Sequence, residues 1–272
     1  MRIVTIMENI VNENYITMCK IWLNQVKLSN PDEIIVLYNN NYPKFLDKEP
    51  SVKLLHCDYD KDIEKMPVKE EKFRDLNYFF IAFKLYNLYK VKPPFIHLDV
   101  DAIPLRSIRN LWNIKTDKPL LASGWQNLSP LRNHFCKFNL ATCTKNIVGG
   151  GVILVKDLSF MPYDELISMY KELMKEKENY LLIQDDILMS LFFRKINYNF
   201  HHEHFTPKWN FLPMSIVKIT NINDELKVLI RDEDKVIEEG EIAHYTGHSR
   251  KPWIQSCKLY NYFLKKYNLN NI

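Results

Sequence analysis

Two carboxylates stand one residue apart in the middle of the chain, directly after a short apolar run. Asp99 and Asp101 flank a valine and follow residues 95–98, which read Phe-Ile-His-Leu. In open α/β sheets, ligands bind at the carboxyl ends of strands, so this pair stands where chemistry is expected. Two carboxylates this close repel each other, and a divalent cation bound to diphosphate oxygens relieves the repulsion. The alternative is a pair of solvated turn residues.

A second group of candidate ligands lies near the C-terminal end of the sequence. His244, Gly247 and Lys251 fall within the segment Ile-Ala-His-Tyr-Thr-Gly-His-Ser-Arg-Lys-Pro-Trp. An imidazole can complete the coordination of a manganese-like ion, while a glycine amide and a lysine ammonium can hold phosphate oxygens. A histidine alone is more often packed in a core, but together with Asp99 and Asp101 it indicates a three-residue metal site.

Glycine is scarce, and half of the glycines are consecutive. The chain has six, and Gly149, Gly150 and Gly151 form one run. Glycine inside a strand or helix costs roughly 0.5 to 1 kcal/mol relative to alanine, so such a run indicates close approach to the backbone. The approaching group is either a ligand or a tightly packed neighbouring element, and the sequence leaves both open.

The elements that must position these residues alternate between strand-like and helical patterns. This alternation predicts βαβ units and a mostly parallel sheet. Strands are predicted over residues 3–7, 33–38, 52–57, 95–98, 120–122 and 151–155. Helices are predicted over residues 14–27, 76–89, 163–177 and 185–194 and in the tail after residue 251. Without a repeat or linker, residues 1–272 are expected to form one α/β domain with two functional halves, 1–104 and 105–272.

Composition excludes several classes of function. The 37 basic and 33 acidic residues give a net charge of only +4, so no nucleic-acid partner is expected. The five cysteines are odd in number and form no CxxC pair, which argues against a disulfide framework and a structural zinc site. Reduced thiols and a cytoplasmic location are expected. The apolar run at residues 3–7 is too short for a signal peptide or a membrane anchor.

Taken in order, these residues resemble the family 8 glycosyltransferases, which include glycogenin and bacterial lipopolysaccharide galactosyl- and glucosyltransferases. The resemblance covers nearly the whole chain and implies the Rossmann-like GT-A fold. By the resemblance, Asp99, Asp101 and His244 hold Mn²⁺ or Mg²⁺, and the donor is a UDP-sugar. The N-terminal half then binds the nucleotide-sugar and the C-terminal half binds the acceptor.

The resemblance also implies a set of donor-binding residues. Thr5 and Tyr15 match the opening strand and loop, where the family's tyrosine stacks on uracil. Lys84 matches a basic residue that lies near the diphosphate in the family. The full expected donor-binding set is Thr5, Tyr15, Lys84, Asp99, Gly150, Gly247 and Lys251.

Two departures from the family pattern concern the donor. Members of the family have the sequence Asn-(Ser/Ala)-Gly-Val where this chain has three glycines and Val152. An asparagine contact to the donor sugar is therefore missing. The spacing from Gly247 to Lys251 is one residue longer than in the family. Either Arg250 or Lys251 then faces the phosphates, and Lys251 keeps the following Pro-Trp pair in register.

A third departure concerns catalysis. The family's Asp-Gln helix start reads Gln184, Asp185, Asp186 here, which puts a carboxylate where the family has a glutamine facing the anomeric carbon. Gln184, Asp185 and Asp186 are therefore the expected catalytic residues, in a family that retains anomeric configuration. A carboxylate at this position is suited to act as a nucleophile, a base or a stabiliser of positive charge. It is equally suited to cap the helix.

Several features leave alternatives open. Trp209, with the loop 207–213, is either an acceptor-binding floor or a buried structural tryptophan. The run His201–His204 lacks the i, i+4 spacing of a helical zinc site and is not expected to bind metal. The C-terminal helix carries an aromatic stripe among lysines, which suits either peripheral membrane contact or packing on the domain.

The acceptor is expected to be a glycan, a glycolipid or a glycoprotein. Two other functions stay open beside glycosyl transfer. One is a sugar nucleotidyltransferase, although the glycine-rich N-terminal phosphate loop of that class is absent because no glycine precedes Gly124. The other is a catalytically degenerate sugar-nucleotide-binding protein, against which the intact set of metal ligands argues.

Overall fold

The computed structural model describes most of the chain. The described residues are 1–7, 10–58, 84, 87–124, 148–175, 185–210, 214–221, 224–231, 233–245, 252–253 and 257–269. The strands are β1 Arg2–Ile6, β2 Glu33–Tyr38, β3 Val52–His56, β4 Phe95–Leu98, β5 Ala102–Pro104, β6 Leu120–Gly124, β7 Val148–Val155, β8 Met214–Asn221, β9 Asp224–Arg231 and β10 Ile242–His244. The α-helices are α1 Glu13–Lys27, α2 Arg109–Trp112, α3 Tyr163–Lys175, α4 Asp185–Lys195, α5 Glu233–Glu239 and α6 Lys258–Lys266. Short 3-10 helices cover Lys44–Lys48 and Pro207–Asn210.

Six of the described strands form the central sheet, in the order β3-β2-β1-β4-β7-β6. β1 pairs in parallel with β2 and β4, and β2 pairs in parallel with β3. β7 is antiparallel to both β4 and β6. Five strands therefore run in one direction, which confirms the predicted mostly parallel α/β sheet. Because β7 runs against β4, with Leu98 opposite Val152, the glycines that open β7 lie beside the carboxyl end of β4.

Apolar layers cover both faces of the sheet. Ile3 and Val4 are neighbours on β1, point to opposite faces, belong to different core clusters and are both fully buried. Trp22 of α1 packs on the face of Ile3, and Phe192 of α4 packs on the face of Val4. Each fully buried side chain of this size contributes about 1.5–3 kcal/mol. This double coverage explains why the strands read as continuous apolar runs rather than alternating ones.

Helix α1 begins and ends at residues with clear capping roles. The Asn12 side chain accepts a hydrogen bond from the backbone N–H of Asn14 at 2.9 Å, which satisfies one of the donors exposed at a helix start. The chain leaves the helix through Asn30, whose positive φ of 45° asparagine tolerates better than most residues. Gln25 donates to the Pro104 carbonyl at 2.7 Å, so α1 also holds β5 in place.

A two-stranded ribbon joins the C-terminal part of the chain to the strand that follows Asp101. β10 pairs antiparallel with β5, with His244 opposite Ala102 and Ala243 opposite Ile103. The sequence did not predict this pairing, because the partners are more than a hundred residues apart. The ribbon brings His244 beside the acidic pair.

Helix α6 packs on the domain through its aromatic stripe. Tyr260 and Phe263 are buried in a cluster with Met18 and Ile21 of α1, whereas Tyr262 is exposed. This confirms the packing interpretation, and peripheral membrane contact through this helix gains no support. Among the described residues, no helix combines the length and apolarity needed to cross a membrane.

The remaining differences from the predicted elements are local. β7 begins at Val148 rather than at residue 151, because the glycine run lies inside the strand. The predicted helix 76–89 and the loop before it fall mostly outside the described residues, although residues 84, 87 and 88 are helical. The β8–β9 hairpin and α5 were not predicted. Cys19, Cys57 and Cys257 form no disulfide among the described residues, and Cys136 and Cys143 lie outside them.

Candidate metal centre

The structure brings together the three residues predicted to bind metal. One ligand atom from each of Asp99, Asp101 and His244 lies within 4.8 Å of the others. The Nε2 atom of His244 is 3.3 Å from Asp101 Oδ1 and 4.0 Å from Asp99 Oδ2. The acidic pair comes from the N-terminal part of the chain and the imidazole from the C-terminal part. The site therefore draws on both of the predicted functional halves.

Backbone hydrogen bonds fix the turn that carries the two acids. Asp99 N–H donates to the Gly151 carbonyl at 2.8 Å, which extends the β4–β7 ladder by one residue. Ala102 N–H then donates back to the Asp99 carbonyl at 2.9 Å and closes the turn. Tyr245 N–H donates to the Asp101 carbonyl at 2.9 Å. The turn is thus bonded to the sheet on one side and to the segment that carries His244 on the other.

The two oxygens of Asp99 have different surroundings. Lys84 Nζ donates to Oδ1 at 3.0 Å, and Nε2 of His97 lies 3.0 Å from the same oxygen. The other oxygen, Oδ2, faces His244. Because Oδ1 already accepts two bonds, Oδ2 is the oxygen that Asp99 can offer to a cation.

Lys84 is a buried cation whose charge acts on Asp99. Its side chain is only 2% exposed, and its ammonium donates to Asp99 and to the Gly150 carbonyl at 3.1 Å. Burial by itself raises the pKa of Asp99, but the Lys84 charge and the hydrogen bond from His97 outweigh it. Together they hold the pKa of Asp99 far below its usual range. Asp99 is therefore ionised at any physiological pH.

The glycine run gives room to side chains that arrive from other elements. A Cβ on Gly151 would lie 2.2 Å from Cε1 of His244, and a Cβ on Gly149 would lie 2.4 Å from Nδ2 of Asn210. Real Cβ atoms do not approach neighbours this closely. The close approach that the sequence indicated is therefore made, at these two positions, by the imidazole and the amide of the protein itself.

Two other residues of the expected donor-binding set lie at defined places. Thr5 is fully buried on β1, and its hydroxyl has no hydrogen-bond partner among the described residues. Tyr15 lies in the first turn of α1, with its ring edge-on to Trp253 at a centroid distance of 4.7 Å. This contact joins α1 to the C-terminal segment. The proposed roles of both residues toward a nucleotide stay predictions.

The expected catalytic residues lie at or just before the start of α4. Asp185 and Asp186 are its first two residues, and Gln184, Gly247 and Lys251 fall outside the described residues. The Val148 N–H donates to Ser190 Oγ at 2.9 Å, which ties α4 to the first residue of β7. The start of β7 in turn borders the turn of Asp99.

Trp209 is a structural residue. Its side chain is 2% exposed, packs in the core beneath the sheet and donates from Nε1 to the His204 carbonyl at 3.1 Å. The buried interpretation is confirmed for the Trp209 side chain, whereas residues 211–213 of the same loop lie outside the described residues and the acceptor-binding role stays a prediction. His204 pairs with the exposed Glu203 at 3.2 Å, and neither belongs to the metal-binding group found among the described residues.

Two polar residues of the site were not predicted from the sequence. His97 stands two residues before Asp99, so both side chains point to the same side of the chain, and a histidine inside an apolar strand was an available signal. Asn210 is the last residue of the 3-10 helix Pro207–Asn210, and its side-chain oxygen lies 2.7 Å from Nδ1 of His244. No local pattern marks Asn210, because its partner lies 34 residues further along the chain.

No protein-family model matches the chain, and no curated protein sequence matches it. Similarity is found among solved structures. The galactosyltransferase LgtC, solved with donor and acceptor sugar analogues, has a TM-score of 0.65 at 17% identity, over 100% of this chain and 97% of its own.

Two further solved structures share the architecture. The glycosyltransferase GlyE of Streptococcus pneumoniae has a TM-score of 0.57 at 15% identity, over 99% of this chain and 60% of its own. Mouse xyloside xylosyltransferase 1 has a TM-score of 0.55 at 14% identity, over 92% of this chain and 98% of its own. These likenesses show that the chain has the GT-A fold, as predicted, while membership of family 8 stays a prediction.

Proposed function

We propose that this protein is a metal-dependent glycosyltransferase that transfers a sugar from a UDP-sugar to a glycan, glycolipid or glycoprotein acceptor. The observation that carries the proposal is the convergence of Asp99, Asp101 and His244 at the carboxyl end of β4. In a doubly wound sheet this edge is where nucleotides bind. The likeness to LgtC, GlyE and the xylosyltransferase supports the same activity.

The chemistry of the ligands favours Mn²⁺ over Mg²⁺. Two carboxylates and one imidazole suit a first-row transition metal, whereas Mg²⁺ prefers oxygen ligands alone. The nearby Lys84 offsets the charge of one carboxylate, so the group keeps a net negative charge that attracts a dication. When bound, the ion would neutralise the charge that develops on the departing diphosphate.

The residues of the chain itself would bind and orient the donor. Lys84 and His97 hold Asp99 ionised through Oδ1, which would leave Oδ2, the oxygen nearer His244, for the cation. Gly247 and Lys251 are proposed to contact the phosphates, and Tyr15 is proposed to stack on the uracil. Thr5 and Gly150 complete the proposed donor-binding set, with Thr5 near the carboxyl end of β1, the strand that pairs with β4.

The start of α4 is proposed to face the anomeric carbon. The hydrogen bond between Ser190 and Val148 places α4 against the strand end that borders Asp99, which supports this position for Gln184, Asp185 and Asp186. A carboxylate there would stabilise positive charge on the sugar or attack it, and transfer would retain the anomeric configuration. Determination of the product anomer tests this step, since an inverted product contradicts it.

Hydrolysis and transfer of a panel of UDP-sugars, with Mn²⁺, with Mg²⁺ and with EDTA, tests the proposal. We expect turnover that requires the metal, is higher with Mn²⁺, and is lost in Asp101→Asn with an unchanged melting temperature. Asp117→Asn, at an exposed aspartate, is the matched control and should keep full turnover. Binding of UDP without turnover on any donor would instead indicate a non-catalytic sugar-nucleotide-binding protein.

A further inference from the structure

Asn210 meets His244 on the side of the ring that faces away from the two acids. We infer that Asn210 is a positioning residue that keeps a proton on Nδ1 of His244, so that Nε2, which faces Asp99 and Asp101, is the ring nitrogen available to a cation. The geometric part of this inference stands on contacts within the chain. Its consequence for metal binding rests on the proposed function.

The hydrogen-bonding capacity of an amide decides the tautomer. Nδ1 of His244 lies 2.7 Å from Oδ1 of Asn210, and Nδ2 of Asn210 lies 3.5 Å from the Gly149 carbonyl. A carbonyl oxygen only accepts, so the amide nitrogen must point toward Gly149 and the amide oxygen toward the imidazole. An amide oxygen also only accepts, so Nδ1 carries the proton. Nε2, on the acid side of the ring, is then the nitrogen whose lone pair a cation can take in place of a proton.

This orientation is the one a metal ligand needs. The Nε2 atom lies 3.3 Å from an Asp101 oxygen, and in the metal-free protein that carboxylate can accept a proton carried by Nε2, which a cation would replace. Metal-bound histidines generally donate their other ring N–H to an oxygen acceptor that fixes the ring. Here Asn210 supplies that acceptor.

Two glycines leave the space that the pair occupies. Gly149 has no Cβ where the Asn210 amide lies, and Gly151 has none where the His244 ring lies. Asn210 is 6% exposed and His244 8% exposed, so water has little access to the bond between them. A buried amide and imidazole in a slot of this size have few other orientations.

The backbone keeps the asparagine in register with the histidine. Glu241 N–H donates to the Lys208 carbonyl at 2.8 Å, which joins the 3-10 helix to the residue before β10. The side chains of the same two residues lie 3.7 Å apart as an ion pair. The buried Trp209 anchors the helix in the core. Asn210 and His244 are thus carried by two segments that are bonded to each other.

A purely structural role for Asn210 makes a different prediction. If Asn210 only filled the slot and bonded Gly149, a residue of similar volume would preserve the site. If Asn210 keeps the proton on Nδ1 of His244, Asn210→Leu should remove the acceptor that holds this proton. Asn210→Asp should keep Nδ1 protonated because a carboxylate oxygen also accepts from Nδ1. These two variants have similar size and opposite expected outcomes.

Nitrogen-15 NMR of metal-free protein labelled at histidine measures the tautomer directly. Of the eight histidines, the His244 signal is assigned by its loss in His244→Gln. We expect a protonated Nδ1 in the wild type and in Asn210→Asp, and loss of the Nδ1 proton in Asn210→Leu. A wild-type His244 without a proton on Nδ1 overturns the inference even if Asn210→Leu does not fold.

A Mn²⁺ titration followed by electron paramagnetic resonance measures the consequence. Asn210→Leu should bind Mn²⁺ about 10- to 100-fold more weakly than the wild type, the usual effect of removing such a partner. Asn113→Leu, at an exposed asparagine, should bind like the wild type. Unchanged affinity and tautomer in Asn210→Leu overturn the inference. A wild type that binds no Mn²⁺ contradicts the proposed function instead, while the tautomer still tests Asn210.

Discussion

Substitution of Gly151 by alanine should disturb the metal site through one contact. The new Cβ would lie 2.2 Å from Cε1, 2.6 Å from Nδ1 and 2.7 Å from Nε2 of His244, whereas ordinary van der Waals contact begins at 3.4 Å. The whole ring is affected, so a rotation about its own axis does not relieve the overlap. The ring must move by roughly 1 Å, a displacement that can lower turnover about 100-fold when it misplaces a functional group.

The same overlap should lower the free energy of unfolding. Overpacking of a core by one methyl group costs typically 1–3 kcal/mol, and the Gly151 backbone cannot retreat because its carbonyl accepts from Asp99 at 2.8 Å. Thermal denaturation measures the stability, and Mn²⁺-dependent hydrolysis of the UDP-sugar measures the activity. Both should fall in Gly151→Ala.

A double-mutant cycle with His244→Ala separates this contact from a general intolerance of β7. Removal of the imidazole leaves nothing for the new Cβ to strike at the distances above, so Gly151→Ala should cost much less stability in the His244→Ala background. An equal cost in both backgrounds would refute the reasoning. Wild-type Mn²⁺ affinity in the single variant would refute it as well.

Two predictions concern the pair of Lys84 and Asp99. Lys84→Met leaves Asp99 without its buried partner and should cost about 3 kcal/mol, the lower end of the range for a broken buried pair, because the Asp99 side chain is 24% exposed. The melting temperature of Lys84→Met should fall by about 6 to 12 °C. The control variant Lys90→Met should change it little, because the Lys90 side chain is 34% exposed. The lowered pKa of Asp99 contributes stability that is present above the ordinary carboxyl pKa of 3.8 and is lost as the pH falls below it. Wild-type stability, measured by urea denaturation, should therefore decline more steeply below about pH 4 than that of Asp99→Asn, and equal slopes would contradict the assignment.

Local patterns in the sequence were enough to predict most of the sheet. Its strands are apolar runs bounded by polar residues, so β2 and β4 were predicted with the bounds that the structure shows. The start of β7 was not, because glycine has low strand propensity and only its neighbours on β4 and β6 keep it extended. The β5–β10 ribbon depends on a pairing between distant segments that no local pattern contains.

The residues of the candidate site likewise include some that a local motif predicts and some that only a distant contact defines. Asp99, Asp101 and His244 were predicted because each belongs to a compact motif, and their proximity follows from the fold. Asn210 carries no motif, and its inferred function depends on a contact between the 3-10 helix and β10 and on space that Gly149 leaves open. Residues that act through another side chain are defined by the tertiary structure, so a sequence alone does not reveal them.

One divalent cation is proposed to bind between the two acids and the imidazole and to contact a pyrophosphate. Crystals grown with UDP and Mn²⁺, with anomalous diffraction data collected near the manganese absorption edge, test it most directly. We predict one strong anomalous peak within bonding distance of Asp99 Oδ2, an Asp101 oxygen, His244 Nε2 and the diphosphate. A peak elsewhere, or UDP bound without manganese at these three side chains, would contradict the account.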